Sequence, residues 1–227
     1  MPRVASLQTE SQTELMDLDG LLGEKKTQLA LKRGFDLIVS LIGLAILCPV
    51  LLVIALLVKI DSKGPVFFKQ TRVGKNGKDF QILKFRTMIV DAEKKGLQIT
   101  VGKDNRITKV GLFLRKYKLD ELPQLINVLK GEMSFIGPRP EVPKYVAMYD
   151  EMQKRILKVR PGITDLASIE YRNENEVLAQ SDNPEKTYIE EIMPRKIELN
   201  MRYLQNISVA YDIKLIFRTI WVIAKQK

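Results

Sequence analysis

Asp120 and Glu121 stand side by side just after a run of cations, Arg115-Lys116-Tyr117-Lys118. The chain has no histidine and one cysteine, Cys48. That removes the Ser-His-Asp triad, the Cys-His pair, histidine-bearing zinc sites and any internal disulfide. Chemistry must run on carboxylates, Lys and Arg, hydroxyls and a hard cation. A carboxylate ringed by cations stays ionised and can meet a phosphoryl group whose charge those cations offset, and aspartate is a known type of phosphoryl acceptor. Mg2+ suits such a site: it takes oxygen ligands, needs few from the protein and bridges phosphates. A structural reading of the same pair also stands. Asp is a preferred N-cap, Glu in a first turn suits the helix dipole, and nearby cations make surface pairs.

Further basic groups sit beside stiff turns. Lys84 and Arg86 close a hairpin, Arg139 lies in Pro138-Arg139-Pro140, and Arg160 precedes Pro161-Gly162. Together they suggest a diphosphate clamp. The formal net charge of +10 is local. Residues 59–118 carry sixteen Lys/Arg against five Asp/Glu, and the rest of the chain is balanced at twenty-one against twenty-two. That stretch should face phosphate: nucleic acid, anionic lipid or a phosphorylated small molecule. Nucleic acid is set aside, because it leaves a long apolar run unexplained and no recognition motif is visible.

The elements that must position these groups are legible in outline. A chain of 227 residues, 45% hydrophobic and 28% charged, suffices for one domain with a core, with or without an appendage. From Leu37 to Val58 run twenty-two residues without a charge, about 33 Å as a straight helix and enough to cross a bilayer. It starts too late for a secretory signal peptide and runs into Lys59 without a small-residue cleavage site. Pro49 near its middle predicts a kink. Basic residues flank both ends, among them Lys32 and Arg33 before and Lys59 and Lys63 after. A simple span favours one basic flank, so this pattern suggests a helix that enters, bends and returns to one face. A crossing helix and a buried core helix are the other readings.

Residues 1–30 read as a loosely held polar tail with a short helix near Glu14–Leu22. Residues 66–72 and 80–86 flank Gly74-Lys75-Asn76-Gly77, a hairpin signal. Residues 120–130 read as a helix with Pro123 in its first turn and Gly131 past its end, followed by a loop from Phe135 to Pro140. Val142, Tyr145, Val146, Tyr149, Met152 and Ile156 form a helical stripe over 142–158. Residues 185–204 look helical with an interruption at Pro194. The apolar stretch Tyr211–Lys225 reads either as an in-plane interfacial helix or as a core helix with a basic edge.

The order of Lys32-Arg33-x-Phe35-Asp36, the apolar run with its central Pro, Lys84-Phe85-Arg86-Thr87-Met88, the long stretch from Leu119 to Pro140, and Arg160-Pro161-Gly162-Ile163-Thr164 resembles the bacterial sugar transferases known as small monotopic phosphoglycosyl transferases, over about residues 31–220. The resemblance implies a mostly α fold with a small β-hairpin (α+β), held on the cytoplasmic face of the bacterial inner membrane. A re-entrant helix-break-helix and interfacial amphipathic helices would hold it there. The corresponding division is a tail at 1–30, a re-entrant helix at 31–62 with Lys32, Arg33, Cys48 and Pro49 as bend and anchor, a catalytic domain at 63–208, and a C-terminal interfacial helix at 209–227.

The implied reaction moves a sugar 1-phosphate from a UDP-sugar to undecaprenyl phosphate and releases UMP, the first membrane step of surface-glycan assembly. Asp120 would be the nucleophile and the Mg2+ ligand, Glu121 its assistant, and Lys84, Arg86, Arg115, Arg139 and Arg160 the substrate contacts. Membrane lipids are further partners, a homodimer is left open, and a non-catalytic membrane-anchored scaffold is the alternative function. Three departures from the family pattern matter. Cys48 replaces Ser before the bend Pro. Asp165-Leu166-Ala167-Ser168 replaces Gly-Trp-Ala-Gln, which leaves the sugar undefined. Asn200 replaces an Asp near the last helical region, which predicts a missing charge pair.

Overall fold

The architecture is that of a computed structural model, which describes residues 18–90, 92, 104–170 and 174–225. The chain forms α1 (Leu18–Glu24), α2 (Lys26–Asp61), β1 (Phe67–Val73), β2 (Asp79–Phe85), α3 (Lys109–Lys116), a 3-10 turn Leu119–Glu121 and α4 (Gln124–Lys130). Next come β3 (Ser134–Ile136), α5 (Pro143–Val146), a 3-10 stretch Gln153–Lys158 and β4 (Gly162–Thr164). Then follow α6 (Leu166–Glu170), α7 (Glu174–Ala179), α8 (Pro184–Thr187), a π turn Tyr188–Ile192, α9 (Met193–Gln205) and α10 (Val209–Ala224). The fold is mostly helical with a small antiparallel hairpin, as the sequence indicates.

The hairpin pairs Phe67 with Phe85 through Val73 with Asp79. Its turn holds Asn76 and Gly77 at positive φ, 58° and 73°, the conformation that Asn-Gly tolerates best. A second sheet was not legible. Inside the stretch read as a loop, β3 pairs in parallel with β4.

Helix α2 is continuous through Pro49. Its apolar residues are largely uncovered: Ile46 is 69% exposed, Leu52 67% and Ile60 73%. This overturns the buried-core reading and supports membrane association, since water does not leave so large an apolar surface bare. One face of α2 is nevertheless packed. Lys32, Asp36 and Ser40 are buried near its start and Ile54 and Val58 near its end. Ile54 and Val58 join Phe85 and Leu114 in one cluster.

Several expectations need correction. The loose tail expected over residues 1–30 does not hold from Leu18 onward: Leu18 is buried in the main core, with Leu21, Leu22 and Leu29 packed against that core. The rest of the tail, Glu14–Asp17 included, lies outside the described residues, as do Tyr171, Arg172 and Asn173. The helix over 142–158 is broken after α5. Asp150 N donates to Gln153 Oε1 and Gln153 N to Asp150 Oδ1, a reciprocal local pairing that competes with helix continuation. Val142, Tyr145, Tyr149 and Ile156 are still buried together. At Pro194 the chain does not stop: the π turn precedes α9, and Pro194 sits in its first turn, where no N–H is needed.

Candidate functional site

The dyad lies in the 3-10 turn Leu119–Glu121, not at the cap of a long helix. Lys118, at φ 57°, turns the chain into it, and neither this turn nor α4 has a side-chain cap. The N-cap reading of Asp120 therefore fails. Both carboxylates are buried, Asp120 at 7% exposure and Glu121 at 9%.

Two elements bring cations to Glu121, β2 and the turn after β3. Lys84 lies on β2 on the same face as Phe80 and Ile82, which pack with Val128 of α4. Asn127 locks β2 to α4: its Oδ1 accepts from Leu83 N at 3.0 Å and its Nδ2 donates to Gln81 O at 2.8 Å. The amide thus takes the place of a neighbouring strand. In this register Lys84 Nζ donates to Glu121 Oε1 at 2.7 Å. From the other side Arg139 Nη2 donates to the same oxygen at 2.9 Å. Arg139 is set by the end of β3, where Gly137 N donates to Thr164 O and Gly162 N to Pro138 O. A Cβ on Gly137 would fall 2.4 Å from Arg160 O, so only glycine allows this approach. Arg72 Nη1, donating to Pro140 O at 3.0 Å, ties the hairpin to the same turn.

Burial by itself would raise the Glu121 carboxyl, but Lys84 and then Arg139 outweigh it and hold it well below the usual carboxylate range. Asp120 goes the other way. Burial, then the charge of Glu121, pushes it above the ordinary aspartate value, against Lys84, Lys118 and Arg115. Its Oδ1 is buried without a hydrogen-bond partner. Burial lowers Arg115, partly offset by Asp120, and Arg115 Nε donates to Thr87 Oγ1 at 2.8 Å.

Lys84, Arg139, Arg115 and the dyad therefore converge, whereas Arg86 and Arg160 do not join them. Arg86 is a helix-end clamp. Its guanidinium donates to Ser62 O at 2.6 Å, Ser62 Oγ at 2.9 Å, Lys63 O at 3.0 Å and Val58 O at 3.3 Å, satisfying carbonyls that α2 leaves open at its end. Arg160 Nε donates to Gly131 O at 2.8 Å, at the end of α4 opposite the dyad, about 10 Å along the helix. Arg33 joins it there, donating to Val128 O at 2.7 Å and Leu129 O at 3.2 Å. Lys32 is no surface anchor: it forms a buried ion pair with Asp212, to which Tyr203 also donates at 2.7 Å. Asn200, on α9, makes no charge pair, as expected, and its buried Oδ1 has no hydrogen-bond partner. Cys48 and Pro49 are exposed on the uncovered part of α2. Sequence reasoning missed Thr87 and Asn127 as parts of the site. The one available signal was their place inside the motifs that carry the resemblance.

Among the described residues no three His, Cys, Asp or Glu side chains form a cage for a metal ion. The Asp120 oxygen, buried and without a hydrogen-bond partner, is the kind of donor that Mg2+ takes, given that Mg2+ uses one or two carboxylates plus phosphate oxygens. The residues fit such an ion at Asp120.

A family model described as bacterial sugar transferase matches residues 27–226. The chain is 40% identical over 195 residues to the UDP-N-acetylgalactosamine-undecaprenyl-phosphate N-acetylgalactosaminephosphotransferase of Aeromonas hydrophila, across 84% of this chain and 43% of that protein. It is 40% identical over 195 residues to the UDP-glucose:undecaprenyl-phosphate glucose-1-phosphate transferase of Escherichia coli, across 84% and 39%. It is 41% identical over 199 residues to the exopolysaccharide production protein PSS of Rhizobium leguminosarum bv. phaseoli, across 85% and 94%. The chain spans less than half the length of the first two relatives and nearly all of the third.

Proposed function

This chain belongs to the bacterial sugar transferase family, and from that premise we propose that it moves a sugar 1-phosphate from a UDP-sugar to undecaprenyl phosphate and releases UMP. The relatives named for this chemistry support the donor and acceptor classes. The observation that carries the residue assignment is the contrast within the dyad. Glu121 has taken two cations on one oxygen, and Asp120 keeps a buried oxygen unbonded.

In this reading an Asp120 carboxylate oxygen attacks the sugar-bearing phosphorus of the donor. The bond from that phosphorus to the UMP oxygen breaks, and UMP leaves with the electron pair. A phosphate oxygen of undecaprenyl phosphate then attacks the same phosphorus and Asp120 leaves, restored as a carboxylate. Lys84 and Arg139 have two tasks. They hold Glu121 ionised and in place, and their remaining N–H groups are available to phosphate oxygens as charge develops. Arg115 adds positive field at Asp120. Glu121 orients these cations. Mg2+ held by Asp120 would supply charge neutralisation between carboxylate and diphosphate.

Two contacts of α2 support a reading of the membrane arrangement. Arg33 near its start is bonded to the end of α4, and Asp61 at its end accepts from Val110 N of α3 at 3.0 Å. Both ends thus rest on one body, residues 63–208. We read α2 as re-entrant from the cytoplasmic face of the inner membrane, with α10 beside it in the interface. Leu215 of α10 is buried in the core, and its Ile213, Phe217, Ile220 and Trp221 form a separate exposed apolar stripe. This sets the dyad where a water-soluble donor and a lipid acceptor can meet.

The test is intact-mass spectrometry of purified protein given a panel of UDP-sugars with Mg2+ and no lipid. A sugar-phosphate adduct is expected on the parent and none on Asp120→Asn, which should also lose transfer to undecaprenyl phosphate while staying in the membrane fraction. Full transfer by Asp120→Asn would remove Asp120 as nucleophile. No turnover with any donor would favour a scaffold.

A further inference from the structure

We propose that Asp165 is a positioning residue for Arg139, keeping that guanidinium at hand when the incoming diphosphate draws it off Glu121. The inference rests on the transfer reading above and deepens it. Strands β3 and β4 are parallel, with Ile136 opposite Thr164, so the chain leaves both at one end. Asp165 is the first residue beyond β4 and Arg139 the third beyond β3. Gly137 N donates to Thr164 O at 3.2 Å and joins the two exits, and Gly162 N, at the start of β4, donates to Pro138 O at 3.0 Å and fixes the turn that carries Arg139.

The chemistry of Asp165 is more than its local task demands. Its Oδ1 accepts from Ser168 N at 2.8 Å, the bond an N-cap makes at the start of α6. Asn or Ser would serve as well there. Yet Asp165 is 1% exposed, and its Oδ2 is buried without a partner. A carboxylate so fully removed from water is costly unless a cation uses its charge. Arg139 feels Asp165 as its second anion after Glu121.

Arg139 is therefore shared. Its Nη2 donates to a Glu121 oxygen that Lys84 already occupies, and Asp165 attracts it from the exit of β4. A donor diphosphate competes with Glu121 for the guanidinium. With Asp165 present, Arg139 can leave Glu121 and keep the larger of its two other counter-charges, the smaller being Glu174. Without it, Arg139 settles on Glu121 and the donor must pull it away.

Asp165→Asn and Asp165→Ser keep the cap and remove the charge. Both are expected to melt close to the parent. The donor KM should rise about tenfold with kcat within about twofold, and affinity for UDP alone, measured by calorimetry, should fall by a similar factor, the size of one weakened charge-assisted contact. Asp165→Glu should recover part of the loss. Unchanged KM and UDP affinity in both variants would overturn the proposal, and so would a fall in kcat alone. If both variants melt far below the parent, Asp165 serves folding and the proposal falls. If the parent binds UDP but transfers from no donor, the transfer reading fails, and the UDP affinities still decide the role of Asp165.

Discussion

Asp120 and Glu121 are chain neighbours in one 3-10 turn, yet their carboxylates have opposite surroundings. Glu121 Oε1 receives Lys84 at 2.7 Å and Arg139 at 2.9 Å, and Asp120 Oδ1 receives nothing. Successive residues of a tight turn point in different directions, so adjacent carboxylates can meet different walls. One wall is built from β2 and the turn after β3. The other is left for a ligand.

Removing the ion-paired member of the dyad should therefore damage the fold as well as the reaction. Glu121→Ala leaves Lys84 and Arg139 facing each other in a largely buried setting, at a cost of about 3 kcal/mol or more. Thermal melting in detergent should show the loss, and Glu121→Ala with Lys84→Met should restore part of it. A single variant as stable as the parent would show that the pair of cations does not depend on Glu121.

Lys32 should act through stability and not through lipid attachment. Its partner Asp212 is 1% exposed, so Lys32→Ala strands a buried carboxylate, at about 3–5 kcal/mol. The double variant Lys32→Met with Asp212→Asn should melt well above Lys32→Ala, and all three proteins should remain in the membrane fraction. Loss of membrane binding without a change in melting would restore the anchoring role.

Alkaline stability should be governed by buried tyrosines. Burial, then nearby carboxylates, pushes the Tyr145 hydroxyl up to about 12. The same causes raise Tyr149, Tyr188 and Tyr203. In the unfolded chain these groups ionise near 10. Their contribution is thus complete below that value and is lost as pH rises from about 10 through the raised folded values. Melting followed across this range, with tyrosinate absorbance, should show ionisation coinciding with unfolding. Early ionisation of the folded protein would contradict it.

Topology can be read with cysteines. In a Cys48→Ser background, single cysteines replacing Gln28 or Lys63 should both react with an impermeant thiol reagent only from the cytoplasmic side. Labelling of position 28 from the outer side would establish a crossing helix instead. Pro49→Ala tests whether the proline sets this arrangement: labelling of position 28 from the outer side in that variant would make it the determinant, and unchanged cytoplasmic labelling would show that it is not.

Much of the site was legible before any coordinates. The dyad, Lys84 and Arg139 were singled out by residue type beside turn chemistry, and the Asn-Gly hairpin by the positive φ that turn needs. Arg86 and Arg160 were grouped with them because an arginine beside a strand end or a Pro looks the same in sequence whether it faces a ligand or a carbonyl. Lys32 was placed at the lipid surface because its partner, Asp212, lies 180 residues away.

Local patterning and composition thus determined most of the helical elements, the hairpin turn, the long apolar helix and the choice of carboxylates and cations as candidate site residues. These follow from hydrophobic periodicity, backbone preference and net charge, which act over a few residues. Only the tertiary structure decided which cation meets which carboxylate. Asn127 locking β2 to α4, the parallel pairing of β3 with β4, and the burial of Lys32, Arg86 and Asp165 are long-range choices. Desolvation assigns a partner to each buried charge, and that partner comes from whatever the packed chain brings alongside.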